Sequence, residues 1–263
     1  MTHSTLRTIL VTALLVTAGC QGLFGSSNPP SDDRAVEAVT KAQKATGNIT
    51  SYRSTVDGQV QIRENSRTES IEITGNGAVN VDHRRANGTI GTRGDTRMGF
   101  RETRMAYLDG YTLDIECARL GWARYNLTES RRWLNYTSLG QQLTLLDRTS
   151  VYWNGTATLD GVEMAVVTAH PTEQQLEASR PLPTRNGVTQ GDANFQNATI
   201  RVWINTETDR IHKVQRVLHV RGAEATAVAT VTYRFADYND PTNITRPAFE
   251  ESGSEWKGDC PGT

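Results

Sequence analysis

From Ser54 onward this chain places its apolar side chains mostly at every second position, in runs separated by turn-forming clusters. Successive side chains of a strand point to opposite faces, so this period commits each run to a strand with one apolar and one polar side. Ser54 to Ile62 carries Val56, Val60 and Ile62; Ile71 and Ile73 repeat the pattern ahead of Gly75-Asn76-Gly77, which reads as a turn, and Val79 and Val81 continue it. Over Arg97 to Leu108, Met98, Phe100, Ala106 and Leu108 alternate with polar residues; after Asp109-Gly110 the odd positions Tyr111, Leu113, Ile115 and Cys117 take over. Strands return over Thr156 to Thr168, with Val162, Met164 and Val166 on one face after the Asp160-Gly161 turn. Three more follow at Thr199 to Thr206, Arg210 to Arg221 and Ala225 to Phe235. The expected product is a set of long antiparallel strands, wet on one face.

Three segments break the period. Asp32 or Asp33 can cap a helix running to about Thr46, with Ala35, Val36, Val39, Ala42 and Ala45 inward and Gly47 stopping it. Trp133, Leu139, Leu143 and Leu146 recur at spacings near three and a half, which predicts a second helix with one apolar side. A short helix over Pro171 to Ser179 precedes a loop rich in Pro, Gly and Asn up to Asn194, and no repeat of fixed period is present. The fold class is therefore α+β.

The apolar supply bounds the core. Of 263 residues 37% are hydrophobic and 7% aromatic, and the mean hydropathy is -0.52, which suits one polar folded domain. With 28 Lys+Arg against 29 Asp+Glu, no global field gathers nucleic acid, and a nucleic-acid partner is not expected.

The first residues read as an address. Residues 1–19 fit a secretory signal: Arg7 is the only formal charge, and the apolar run Thr8 to Ala18 is too short to span a bilayer. Thr17-Ala18-Gly19-Cys20 resembles the lipobox of secreted lipoproteins, in which the cysteine thiol, here that of Cys20, receives the lipid; an ordinary cysteine beside a conventional cleavage site is the alternative. Residues 20–32, with Gly, Ser and paired Pro, suit a tether holding a domain (33–250) off the outer face of a membrane. Lipidation of Cys20 leaves Cys117 and Cys260 as a pair in an oxidising compartment. Their bridge would close a long loop, contribute up to roughly 5 kcal/mol and pin the tail 251–263; two buried free thiols are the alternative. Asn-x-Thr sequons stand at Asn48, Asn87, Asn126, Asn135, Asn154, Asn197 and Asn243, against about three expected by chance, which favours a glycosylated exterior. Asn-Gly-Thr at Asn87 and Asn154 also reads as turn chemistry. A lipobox with dense sequons, abundant threonine and arginine in excess of lysine points to a haloarchaeal source.

Trp203-Ile204-Asn205-Thr206-Glu207-Thr208-Asp209-Arg210-Ile211-His212-Lys213-Val214 resembles the strand-turn-strand of the LolA and LppX/LprG-type lipoprotein carriers. Phe235-Ala236-Asp237-Tyr238-Asn239-Asp240-Pro241, with Ile244 and Pro247, is similar to the closing segment of that family, and Leu159-Asp160-Gly161-Val162 to its central hairpin. The resemblance spans roughly Asp33 to Phe249. It implies a single antiparallel sheet curled into an open half-barrel, with helices over the concave side and an apolar cavity between.

That fold predicts that Val60, Ile71, Phe100, Leu113, Met164, Ile204, Val231 and Tyr233 converge on one concave surface, with Trp133 and Leu143 on the helix across it. These residues are the candidate binding set for a lipid or other hydrophobic ligand. A cell-surface structural or interaction glycoprotein with its interior packed shut is the competing expectation, favoured by the low apolar content. Glu102 and Arg104 interrupt the apolar face, either as an ion pair lining a cavity or as solvated residues at a bulge, the bulge being the stronger expectation. Arg84, Arg85, Arg93, Arg97, Arg101 and Arg104 make a locally basic stretch suited to lipid headgroups or a polyanionic glycan; with Asp82, Asp95 and Glu102 interleaved, a solvated face is the favoured reading. No HExxH, GxSxG or P-loop pattern occurs, and His212 and His219, seven apart on one strand, would face opposite ways unless a bulge intervenes. Neither an enzyme, a cofactor nor a metal is expected, and the domain is expected to be a monomer.

Overall fold

Among the described residues the alternating runs become eleven strands, all antiparallel. The computed structural model describes residues 30–95, 101–116, 121–179 and 194–246. In chain order these hold α1 (Asp33–Thr46), β1 (Ser51–Glu64), β2 (Arg67–Asn80), β3 (Arg85–Gly94), β4 (Arg101–Asp109), β5 (Thr112–Glu116) and β6 (Trp122–Asn126). A 3-10 turn (Trp133–Tyr136) and α2 (Ser138–Asp147) follow, then β7 (Val151–Leu159), β8 (Val162–Ala169), α3 (Glu173–Ala178), β9 (Asn194–Asn205), β10 (Ile211–Arg221) and β11 (Ala225–Ala236). The strands form one open sheet in the order β6-β5-β4-β3-β2-β1-β11-β10-β9-β8-β7.

This order dictates where the helices go. Two hairpin meanders meet where β1 pairs with β11, leaving β6 at one edge and β7 at the other. The chain leaving β6 must cross the whole sheet to begin β7, and the 3-10 turn and α2 lie within that crossing. Leu108 and Leu113 near the first edge join the same apolar cluster as Val151 and Trp153 on the other, with α2 between, so the sheet wraps as an open half-barrel around its helices. α1 enters from the second edge, where Asp32 N–H donates to the Val151 carbonyl and Val151 N–H donates to Ser31 Oγ. Ser31 and Asp32 thus already belong to the domain, two residues before its expected start at 33. Asp32 caps α1 by accepting from Arg34 N and Ala35 N, and Ala35, Val39 and Ala42 are buried against the sheet.

Several local expectations resolve differently. Gly75-Asn76-Gly77 is the middle of β2, paired with Thr55 across β1 and Gly88 across β3, while the hairpin turns at Asn65, whose φ is 53°. Asn87-Gly88 is likewise inside β3, a strand whose glycines and polar residues hide its period. Asn154-Gly155 is a bulge in β7, with Gly155 at φ 83° and a register shift between Trp153 and Thr156. Asp160-Gly161 turns as expected, both residues at positive φ between the paired Leu159 and Val162, and the chain also turns after Asp109, where Gly110 has φ 57° and Asp109 pairs with Thr112. The helix expected from Trp133 to Leu146 is two pieces, because Thr137 adopts an extended conformation and caps α2 through its side chain to Gly140 N. Gly140 is obligatory there: a Cβ would lie 1.9 Å from the Leu134 carbonyl oxygen.

Candidate functional site: a half-filled inner face

Register alone sorts the inner face into rows. Tyr52 on β1 pairs with Val79, which pairs with Ala86, then Leu108, Leu113 and Tyr125. In the other direction Tyr233 pairs with Val214, then Val202, then Val167. Side chains directly opposite share a face, so these rows all look toward the helices.

The two halves of that face have opposite fates. On the side of β7 to β11, Ala165, Val167, Ile200, Val202, Ile204, Val214 and Phe235 are buried against α1 and α2. Arg216, in the same face, donates from Nε to Oε1 of the buried Gln142 on α2 at 2.8 Å and lies 5.6 Å from the Tyr233 ring, tying the helix to β10. On the side of β1 to β5 a cavity of about 600 Å³ remains, roofed by Tyr136, Thr137, Ser138 and Gln141. Its walls include Val56, Val79, Ala106, Leu108, Leu113 and Leu127, and its floor passes over Gly77 and Gly88, where no side chain fills the space. That volume falls in the range of small-ligand sites.

The ends of the cavity differ in polarity. Beside α2, Ser138 Oγ lies 3.4 Å from the Tyr52 hydroxyl and 3.5 Å from Ser54 Oγ, and Leu139 N–H donates to the Tyr52 oxygen. Burial pushes the Tyr52 phenol pKa up. At the end away from the helices, Arg104 Nε donates to Glu102 Oε1 at 2.7 Å, both side chains lining the cavity. The β3–β4 register runs unbroken past both residues, so the bulge expected there is absent and alternation carries both side chains inward.

The sequence-derived binding set is divided by the fold. Leu113 and Tyr233 line the cavity. Ile204, Trp133 and Leu143 belong to the packed core. Val60, Ile71 and Val231 share the inner face but are half-buried beyond the cavity lining. Met164 is a correction: its neighbour Ala165 pairs with Ile204, so Met164, although buried, is on the outer face. Phe100, Cys20, Cys117, Cys260 and the tail 251–263 lie outside the described residues, as do the leader 1–19 and the tether up to 29. The sequence offered no sign of the Gln142–Arg216 link, which joins residues remote in the chain, nor of Gly77 and Gly88 as a floor.

The outer face carries the sequons of the strands. Asn87, Asn126 and Asn197 alternate with inward-facing residues, and Asn154 donates to Thr168 Oγ1 on the same outer side; all four are exposed. Asn48 and Asn243 are exposed in loops, and Asn135 is half-buried in the 3-10 turn. A bulge does intervene at His212, where the β10 register shifts between Ile211 and Lys213; His212 reaches Asp160 at 3.4 Å, while His219 pairs with Asn197. Among the described residues no three His, Cys, Asp or Glu side chains gather as a metal site, and no helix is long and apolar enough to cross a membrane.

No family model matches the chain, and no curated protein matches its sequence. Some solved structures are similar to this chain. The lipoprotein LppX of Mycobacterium tuberculosis is similar at 13% identity and a TM-score of 0.44, over 82% of this chain and 100% of that one. LprF of Mycobacterium bovis is similar at 10% identity and a TM-score of 0.47, over 83% and 99%. A DUF1329 family protein of Desulfovibrio piger is similar at 10% identity and a TM-score of 0.32, over 84% and 99%. The fold itself is settled by the strand register: one antiparallel sheet, open between β6 and β7, curled around its helices.

Proposed function

We propose that this chain is an extracytoplasmic lipoprotein, anchored through Cys20 to the outer face of the cell membrane, that binds a lipid or other hydrophobic ligand in its half-barrel. The observation that carries this reading is the apolar-walled cavity of about 600 Å³ beneath the 3-10 turn and α2. A domain built only as a scaffold gains nothing from glycines at the floor of a void, since each unfilled position forfeits dispersion contacts. The exposed strand sequons support a glycosylated outer face opposite the ligand face. The bridge between Cys117 and Cys260 belongs to the same extracytoplasmic reading, as do a monomeric state and the absence of catalytic chemistry.

The test is native mass spectrometry of the gently purified full chain, followed by organic extraction. A co-purifying apolar molecule, exchanged for added fatty-acyl probe, is the expected result. Absence of any extractable molecule together with no probe uptake returns the scaffold reading. Anchoring is tested separately: Cys20→Ser should move the protein from the membrane fraction to the soluble or unprocessed one, and unchanged partitioning would remove the lipid anchor from the proposal.

A further inference from the structure

We propose that the Glu102–Arg104 pair selects ligands whose polar head carries no net charge. The inference rests on the reading of the cavity as an apolar-ligand site and names the chemistry of the ligand's other end. Among the described residues lining the cavity, Glu102 and Arg104 are the only two charged at neutral pH. They stand two apart on β4, face inward together and are in contact at 2.7 Å, so their charges sum to zero within one spot. Their side chains keep 33% and 27% of their exposure, which places them where cavity meets solvent. Arg104 is paired across the sheet with Ile90, which is 51% exposed and marks the rim.

An amphiphile entering tail first lays its chain along Ala106, Leu108 and Leu113 toward the roof, leaving its head beside the pair. A carboxylate or phosphate drawn to Arg104 arrives next to the Glu102 carboxylate, and an ammonium drawn to Glu102 arrives next to the guanidinium. In a half-buried site neither repulsion is fully screened, and juxtaposed like charges are what excludes a wrong partner. A head bearing hydroxyls meets neither repulsion and finds further uncharged partners at Thr92.

Monolaurin and laurate share one tail and differ in head charge, so titration calorimetry of both against the purified full chain isolates the head. Wild type should bind monolaurin about tenfold or more tighter than laurate. Glu102→Gln removes the carboxylate and keeps the guanidinium, and should collapse or reverse that ratio; Arg104→Gln should widen it. The exchange Glu102→Arg with Arg104→Glu keeps the site neutral and should keep the preference, which covers the case of a single variant that fails to fold. The same ratio in wild type, Glu102→Gln and Arg104→Gln would overturn the head-group role while leaving the apolar-ligand reading intact. Binding of neither amphiphile to wild type would overturn both.

Discussion

Tyr52 ties the sheet to α2 and to the segment after β11. Its ring is buried at 5.9 Å from Phe235 and 6.1 Å from Tyr238, and its hydroxyl accepts from Leu139 N, one of the first-turn donors of α2 that no intrahelical carbonyl can reach. A strand residue thereby caps a helix remote in sequence. Tyr52→Phe keeps the ring but orphans that N–H, and should cost about 1–3 kcal/mol in denaturant unfolding. The buried phenol also sets an alkaline limit. Burial raises its pKa above the ordinary value of about 10, so the fold favours the protonated form. That stability is fully present below about pH 10 and is lost as pH rises through the raised value. Tyr238, donating to the Ile211 carbonyl at 2.6 Å, is raised in the same direction by burial. Equilibrium unfolding at stepped pH should therefore show stability falling above about pH 10, with a shallower fall in Tyr52→Phe.

At the scale of elements, two glycines with opposite roles separate the sheet from its lid. Gly140 lets α2 turn tightly against the preceding 3-10 turn, and a Cβ there would meet the Leu134 carbonyl carbon at 2.5 Å. Gly140→Ala should displace the roof of the cavity and lower stability by about 1–3 kcal/mol, measured by chemical denaturation. Gly88 lies under the cavity, where the nearest atom to an added Cβ is the Asn76 carbonyl oxygen at 3.4 Å, an ordinary contact. Gly88→Leu should fold with little loss of stability and yet block probe uptake, because its side chain occupies ligand space. Unaltered uptake would show that the ligand lies elsewhere. The edge strand β7 meets a different demand: its bulge at Asn154-Gly155 interrupts the ladder that a second copy would need for pairing.

Across the whole molecule, the segment after β11 works as a strap on the outer face. Ser51 Oγ donates to the Asp240 carbonyl, Asn80 Nδ2 donates to the Thr242 carbonyl, and Ile244 packs on Ala78 and Tyr107. Through Arg246 it reaches the buried Asp114, whose carboxylate accepts from Arg124 at 2.7 Å and from Arg246 at 3.2 Å. This cluster holds β6 and β5, the latter lining the cavity through Leu113 and Ile115, to the C-terminal segment. Asp114→Ala leaves two arginines that are half in water, so the expected loss is about 1–3 kcal/mol rather than that of a fully buried pair. Faster hydrogen exchange confined to β5, β6 and the strap should accompany it, and a change spread evenly over the sheet would contradict the local role.

How much of this was legible beforehand follows from the range of each interaction. Alternation in Ser54 to Ile62, Thr199 to Thr206 and Ala225 to Phe235, the Asp32 cap and the Asp160-Gly161 turn are local matters of backbone geometry, and from them the class and the antiparallel strands could be read directly; that the strands form a single sheet was implied by the resemblance alone. β3 was not legible, because Gly88, Gly91 and Gly94 erase the apolar period that marks a strand. Gly75-Asn76-Gly77 misled for a related reason: residues that suit a turn also suit a floor beneath a void, and only cross-strand pairing distinguishes the two uses. Met164 fell on the wrong face because β8 is apolar on both sides, which leaves its phase undefined until Ala165 meets Ile204. The cavity belonged wholly to the tertiary structure. The amount of apolar surface on the sheet is a property of the sequence, but where α2 lands, and so which half is filled and which left open, depends on contacts such as Gln142 with Arg216 and Leu139 with Tyr52, between residues that meet only after the chain has crossed from β6 to β7.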